Sequence, residues 1–166
     1  PTYEEKLENS PVSDDMLGEI DSFSHLQSLG LAGAKVSGRA IAQMSLVRKV
    51  RTLKVKGISD IGPLLAKLRK CDNINELWLM SLYLRDQDLE PLTHMKNLKS
   101  LRITRSRLTP DSLAYFKRMP SLKNLKLDRS WSNGDKAQFK RAIPGYEFEP
   151  VFDKYFWKLV PGEREF

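Results

Sequence analysis

The chain has 166 residues, of which 40% are hydrophobic and 30% charged, and its formal net charge is +7. This size predicts one domain with its own core. No apolar run approaches the ~18 residues of a membrane-spanning helix, and the single cysteine, Cys71, rules out an internal disulfide and a cysteine metal cluster. A first residue of Pro1 rather than methionine indicates a trimmed product, whose parent is secreted, anchored or simply longer.

Charge divides the chain into three parts. Residues 1–25 carry seven acids against one base, residues 26–145 carry 24 bases against nine acids, and residues 146–166 carry five acids against three bases. This distribution predicts a basic middle with an acidic N-terminal end.

The first segment, residues 1–25, is a degenerate copy of the pattern that follows it. Its apolar residues lie 24 positions before apolar residues of the next unit, and we interpret the segment as an N-terminal capping repeat. These residues are Leu7, Val12, Leu17, Ile20 and Phe23.

From residue 26 to residue 145 one pattern occurs five times, every 24 residues and without insertion. In the unit that begins at Leu98, Leu101 and Ile103 lie two apart, as on one side of a strand, while Leu113 and Phe116 lie three apart, as along a helix. Each unit is therefore predicted to be a strand, a turn and a helical segment. One unit alone buries too little apolar surface to be stable, so the units must stack and share a core, with their strands side by side and parallel. The strand-side core columns are Leu29, Leu53, Leu77, Leu101 and Leu125, then Leu31, Val55, Leu79, Ile103 and Leu127.

The segments that open these units are LQSLGL, VRTLKV, INELWL, LKSLRI and LKNLKL. In this pattern, over roughly residues 2–150, the chain resembles the leucine-rich repeat family. The later half-repeats ISDIGPLLAKL and LTPDSLAYFKRMPSL are similar to a bacterial subclass with a Thr-x-Ile-Thr-Asp turn. The resemblance implies an α/β fold, a right-handed leucine-rich-repeat solenoid with a parallel concave sheet and helices on the convex side. Residues 1–166 are then one domain, with residues 1–25 and 146–166 as its two caps.

One position departs from the family pattern. We count unit positions from 0 at Leu26, Val50, Ile74, Leu98 and Leu122. At position 8 the family usually has Asn, Thr or Cys, whose side chain bonds the backbone of the turn. Here the residues are Ala34, Ile58, Leu82, Ser106 and Ser130, so we expect a weak polar ladder and apolar or water-satisfied turns in the first three units.

Basic and aromatic side chains alternate with the core columns along the strands and in the turns after them. Because side chains alternate between the two faces of a strand, they are predicted to share one surface opposite the core, which we call the strand face. Trp, Tyr and Arg are the usual residues of binding hot spots. The predicted partner-binding residues are Lys54, Lys56, Trp78, Tyr83, Arg102, Arg105, Lys126, Arg129 and Trp131.

Two simpler interpretations compete with a binding role for these side chains. Charges on an open sheet oppose edge pairing and aggregation, so the lysines would serve solubility alone. Trp78 and Trp131 would then be covered by the C-terminal tail or by neighbouring arginines through cation–π contacts.

The tail, residues 146–166, holds seven of the chain's 15 aromatic residues. Ala137 and Lys140 stand in the last unit where earlier units have Leu and Phe, so this unit is expected to have lost the helix side of its core. We therefore interpret the tail as an aromatic C-terminal cap. The alternative is a peptide that docks onto another subunit or domain.

Catalytic patterns find little support. His25 and His94 lie outside the core columns and belong to no recognisable nucleophile or zinc motif. Asp86, Asp88 and Glu90 are interpreted as the acidic start of a helical segment rather than as metal ligands. No cofactor is predicted.

The sequence therefore predicts a non-enzymatic scaffold that recognises a protein, most readily an acidic one, through its strand face. One alternative is an anion-binding module for nucleic acid or acidic polysaccharide. Another is a regulatory or spacer domain of a larger receptor or kinase. The compartment and the oligomeric state are left open.

Overall fold

The computed structural model describes residues 4–6, 12–23, 25–33 and 35–150. Within these residues it contains an α/β fold whose seven strands form one sheet, all parallel and in chain order. The predicted α/β class and parallel sheet are confirmed. The strands are β1 (Glu4–Lys6), β2 (Ser28–Ala32), β3 (Thr52–Lys56), β4 (Glu76–Met80), β5 (Ser100–Thr104), β6 (Asn124–Leu127) and β7 (Gly145–Phe148).

Strand pairing follows the 24-residue period over most of the sheet. Leu53 of β3 pairs with Leu29 of β2 and with Leu77 of β4, and the same step continues to Leu101 and Leu125. The last step is three residues shorter, because Asn124 pairs with Gly145. The unit between β6 and β7 is therefore out of phase with the other units.

A helical segment follows each of the first six strands. The α-helices are α1 (Leu17–Asp21), α2 (Gly38–Gln43), α3 (Ile61–Leu68), α4 (Leu113–Phe116) and α5 (Asn133–Ala142). The segment between β4 and β5 is instead a nine-residue 3₁₀ helix, Asp86–His94, and it contains Pro91. Proline lacks a backbone N–H and restricts φ, which disfavours a regular α-helix at this point. Shorter 3₁₀ turns span Asp14–Met16, Leu46–Arg48 and Pro110–Ser112.

One apolar cluster runs from Val12 to Tyr146 between the sheet and the helical segments. Along β3, Leu53 and Val55 are completely buried, while the residues on either side of them are half-buried. Side chains of the helical segments fill the other side of the cluster, as Leu65 and Leu68 of α3 do. The predicted core position of Phe23 is wrong, because this side chain is 47% exposed. Leu7 lies outside the described residues.

The last unit keeps its helix-side core, contrary to the prediction. Ala137 and Lys140 are exposed, but Phe139 of α5 is 1% exposed. Its ring centre lies 6.1 Å from that of Phe116 and 5.1 Å from that of Tyr146. Phe139 lies one residue before Lys140, the position that counting in units of 24 gives, whereas Ile143 keeps its predicted column and is 4% exposed.

A polar ladder is present, but at the other end of the strands from unit position 8. The side-chain amide of Asn73 donates to the Arg48 carbonyl at 2.6 Å, and that of Asn97 donates to the Asp72 carbonyl at 2.8 Å. Ser121 repeats this bond one unit later. At position 8 itself Ile58 is buried, as expected for an apolar turn. The chain entering β4, β5 and β6 is thus bonded to the preceding unit by side chains that the sequence pattern did not single out.

Candidate functional site

The centre of the strand face is one row of side chains that crosses the sheet from β3 to β7. Because the strands are in register, each member is the pairing partner of the next, at ~4.8 Å per strand. The row is Lys54, Trp78, Arg102, Lys126 and Glu147, which we call the Trp78 row. Its neighbours along each strand point into the core, so the row lies on the opposite face.

Trp78 is held in place by three neighbours. The Lys54 ammonium lies 4.3 Å from the centre of the ring, and the guanidinium carbon of Arg102 lies 4.6 Å from it. The indole Nε1 donates to Oε1 of Glu76 at 2.8 Å. A cation over an exposed indole contributes about 0.5–1 kcal/mol. Neighbouring cations therefore cover part of the Trp78 ring, as one of the two simpler interpretations predicted.

Two acidic residues at the end of the sheet neutralise part of this row. Oε1 of Glu149 lies 2.8 Å from Nη2 of Arg102, and the two side chains are 38% and 27% exposed. Oε2 of Glu147 lies 3.1 Å from Nζ of Lys126 in a more exposed pair. Positive charge on the strand face is therefore lower than a count of its lysines and arginines indicates.

A second group lies beyond the carboxyl ends of β4 and β5. Tyr83 is 60% exposed, and the Arg107 guanidinium carbon lies 5.8 Å from the centre of its ring. The backbone N–H of Tyr83 donates to the Arg105 carbonyl at 3.2 Å. This places an exposed aromatic ring beside two arginines at one edge of the sheet.

The backbone under this group is left-handed at unit position 7 in four consecutive units. The residues there are Gly33 (φ 111°), Gly57 (φ 57°), Ser81 (φ 55°) and Arg105 (φ 48°). Glycine adopts this conformation without steric cost, whereas other residues are strained in it. Arg105 therefore stands where the turn itself favours glycine. Tyr83, at unit position 9 and with φ 52°, is in the same left-handed region. Such outliers persist where the side chain has another role or the surroundings enforce them.

Asp128 supplies a compensating contact to this turn. In earlier units the N–H at position 7 donates to a backbone carbonyl of the next strand, as Ser81 does to Thr104 at 3.0 Å. The Arg105 N–H donates instead to Oδ2 of Asp128 at 2.7 Å. Arg129 reaches the same region, where its Nη1 donates to the Ser106 carbonyl at 3.3 Å.

The remaining predicted residues divide between the strand face and the core. Lys56 ends β3, is half-buried and pairs in register with Met80. Trp131 is partly buried against the core, and its ring centre lies 4.6 Å from that of Phe139. Trp131 thus has a packing role at the end of the core, which its position in the repeat did not predict.

The acidic residues Glu76, Glu147 and Glu149 were missed at the sequence level. Glu147 and Glu149 stand at alternate positions of YEFE, and this is the pattern of two side chains on one face of a strand. Their partners could not be identified without knowing the shortened step to β7.

Three titratable groups outside this region are explained by their surroundings in the fold: Cys71, Asp86 and Asp88. Burial raises the pKa of the Cys71 thiol, so this cysteine is a poor nucleophile. Asp86 accepts hydrogen bonds from the Thr109 backbone and hydroxyl, and Asp88 accepts one from the Arg85 N–H at 2.7 Å.

Among the described residues no group of three or more His, Cys, Asp and Glu is arranged to hold a metal ion. In the same part of the chain no helix has the length and apolar character needed to cross a membrane.

A comparison with models of known protein families found no match, and a search of curated proteins found no significant match.

Proposed function

We propose that this chain is a right-handed leucine-rich-repeat solenoid, with the sheet on its concave side and the helical segments on its convex side. Three features support this proposal: parallel strands in chain order, a step of 24 residues from β2 to β6, and a helical segment after each of the first six strands. Crossovers between parallel strands are right-handed in nearly all proteins. Repeats that bury their core against neighbours present an extended sheet, a surface on which such proteins bind partners.

We infer that its function is non-enzymatic recognition of another protein through the strand face. The observation that carries this proposal is the position of Trp78 between Lys54 and Arg102. A half-buried indole held by cations and by Glu76 loses little side-chain entropy on binding, and Trp, Tyr and Arg dominate binding hot spots.

An acidic surface on the partner fits best. The contacts of Glu149 with Arg102 and of Glu147 with Lys126 demonstrate that carboxylates reach these cations in a favourable geometry. Bases still outnumber acids on the strand face. Partner carboxylates would therefore meet a positive field, which favours encounter and orientation.

Affinity capture from the native source tests this proposal with matched variants. Trp78→Ala removes the aromatic ring at the centre of the strand face, and Lys54→Glu reverses the charge of a residue that lies over this ring. Lys117→Glu makes the same charge reversal at an exposed position directly after α4. Partners recovered by the parent and by Lys117→Glu should be lost with Trp78→Ala and Lys54→Glu. Recovery of the same proteins by all four chains would exclude the strand face as the binding site.

Nucleic acid is the second candidate, because an aromatic ring flanked by cations also suits a base stacked beside its phosphates. Ionic strength distinguishes the two. Binding driven by several phosphate contacts falls by about 10³–10⁵-fold between ~50 and ~200 mM salt. A protein interface anchored by Trp78 should weaken far less over the same range.

A further inference from the structure

A second polar site lies at the opposite edge of the sheet from Tyr83, where the chain enters the strands. A groove of about 350 Å³ opens there. Three cations line it, Lys49, Arg51 and Lys99, and all three are exposed. Its volume is at the lower end of the range for small-molecule sites, ~300–1,000 Å³.

The groove is built from the residues that immediately precede β2 to β5. The register of the strands sets Gln27, Arg51, Asn75 and Lys99 side by side, so the groove alternates between amide and cation. Arg51 and Lys99 are two strands apart, a spacing of about 10 Å between their backbones. Both side chains are long enough to converge on a ligand that lies over Asn75.

Hydrogen bonds within the fold fix the segments that form the floor of the groove. Asn73 and Asn97 each donate a side-chain amide to a carbonyl of the preceding unit, at 2.6 and 2.8 Å. The Arg51 carbonyl accepts two N–H groups, from Asn75 at 2.9 Å and from Glu76 at 3.1 Å. Backbone carbonyls, which would repel an anion, are therefore already satisfied there.

The balance of charge in the groove is positive. Asp72 is the carboxylate among its lining residues, against three cations. Within the described part of the chain, no acidic side chain lies within 4 Å of the cationic groups of Arg51 and Lys99. Cations of this kind suit a phosphate or carboxylate group, because arginine binds such groups with two parallel N–H donors.

We propose that this groove binds a small oxyanion with two or more phosphate or carboxylate groups. Arg51 and Lys99 would hold two anionic groups, and Asn75 would donate to the part of the ligand between them. The site is separate from the strand face, because the Trp78 row lies three residues further along each strand, ~10 Å away. It does not depend on the proposed protein partner.

Titration of the full 166-residue chain, followed by amide resonances in NMR spectra, tests the proposal. The probes are tripolyphosphate and citrate, each added up to about 10 mM, a range that covers weak but selective binding. We expect saturable shifts at Asn73, Asn75 and Asn97. The two probes distinguish a phosphate site from a carboxylate site.

Two double variants with the same change of charge provide the comparison. Arg51→Glu with Lys99→Glu should weaken binding at least tenfold. Lys70→Glu with Lys117→Glu alters exposed positions after α3 and α4 and should leave it within about twofold. Shifts spread over the whole basic surface, equal losses in both double variants, or no saturable shift with either probe would each overturn the proposal. Spectra of each variant without ligand verify that it is folded.

Discussion

Trp78 and Arg102 are pairing partners on β4 and β5, and the guanidinium carbon of Arg102 lies 4.6 Å from the centre of the Trp78 ring. The same guanidinium is 2.8 Å from a carboxylate oxygen of Glu149, which is 47 residues further along the chain. Arg102 therefore links the aromatic centre of the strand face to the acidic end of the sheet. Any partner that binds Trp78 also meets this ion pair.

The pair of Arg102 and Glu149 should contribute to stability more than the pair of Lys126 and Glu147. Both members of the first pair are more buried than their counterparts in the second, so solvent screens their attraction less. In double-mutant cycles with alanine, followed by urea unfolding, we expect a coupling energy of about 1 kcal/mol for the first pair and below about 0.5 kcal/mol for the second. Equal coupling energies for the two pairs would contradict the prediction that the more buried pair contributes more to stability.

Replacing Arg105 by glycine should stabilise the fold and weaken binding to the partner. The left-handed backbone at φ 48° favours glycine, so we expect a gain of about 0.5–1 kcal/mol in the free energy of unfolding. Ser81→Gly should give a similar gain. Arg107→Gly is the control, because Arg107 is not among the residues with positive φ, and it should destabilise.

Measuring the affinity for the partner shows whether the Arg105 side chain contributes to binding or is merely tolerated by the fold. Arg105→Gly should bind the captured partner more weakly in spite of its greater stability, whereas Ser81→Gly should keep full affinity. If Arg105→Gly binds as well as the parent, this arginine does not contact the partner.

Stability should decrease in acid partly through Asp21. Burial works against its ionised form, but hydrogen bonds from the Ser45 and Leu46 amides and the charge of Lys49 outweigh it, so the pKa of Asp21 is lowered from 3.8. Because the folded-state pKa is the lower one, the carboxylate stabilises the fold above the unfolded pKa, and this contribution is lost as pH falls through the folded pKa. At neutral pH Asp21→Asn should cost about 0.5–1 kcal/mol, because partial exposure to solvent weakens these hydrogen bonds.

Urea unfolding at neutral pH and at about pH 3 measures this effect. The difference between the parent and Asp21→Asn should shrink at the lower pH. Asp15→Asn, at an exposed position just before α1, controls for the loss of one negative charge. A difference for Asp21→Asn that is the same at both pH values would contradict the predicted linkage.

Phe139 should be among the most costly core residues of the last unit to truncate. It is 1% exposed and contacts the rings of Phe116, Trp131 and Tyr146. We expect Phe139→Ala to lower the free energy of unfolding by about 3–5 kcal/mol. Gln138→Ala, at the exposed position beside it, should change it by less than about 0.5 kcal/mol. A loss below about 1 kcal/mol for Phe139→Ala would mean that the end of the core is loosely packed.

The sequence alone determined the period, the alternation of strand and helical segment, the parallel sheet and most of the core. These features follow from local hydrophobic spacing, and in a stack of similar units each pairing repeats the previous one. Leu53, Leu77 and Leu101 could therefore be placed in one buried column before any coordinates were known.

Only the tertiary structure decided what happens where the repetition ends. The shortened step to β7 brings Glu147 to Lys126. In the last unit Phe139 rather than Lys140 lies in the core. The partnership of Arg102 with Glu149 and the left-handed turn under Arg105 likewise depend on where distant segments meet. A period gives no information on such contacts, because ion pairs and ring contacts between separate segments depend on distances of a few ångströms that hydrophobic spacing does not specify.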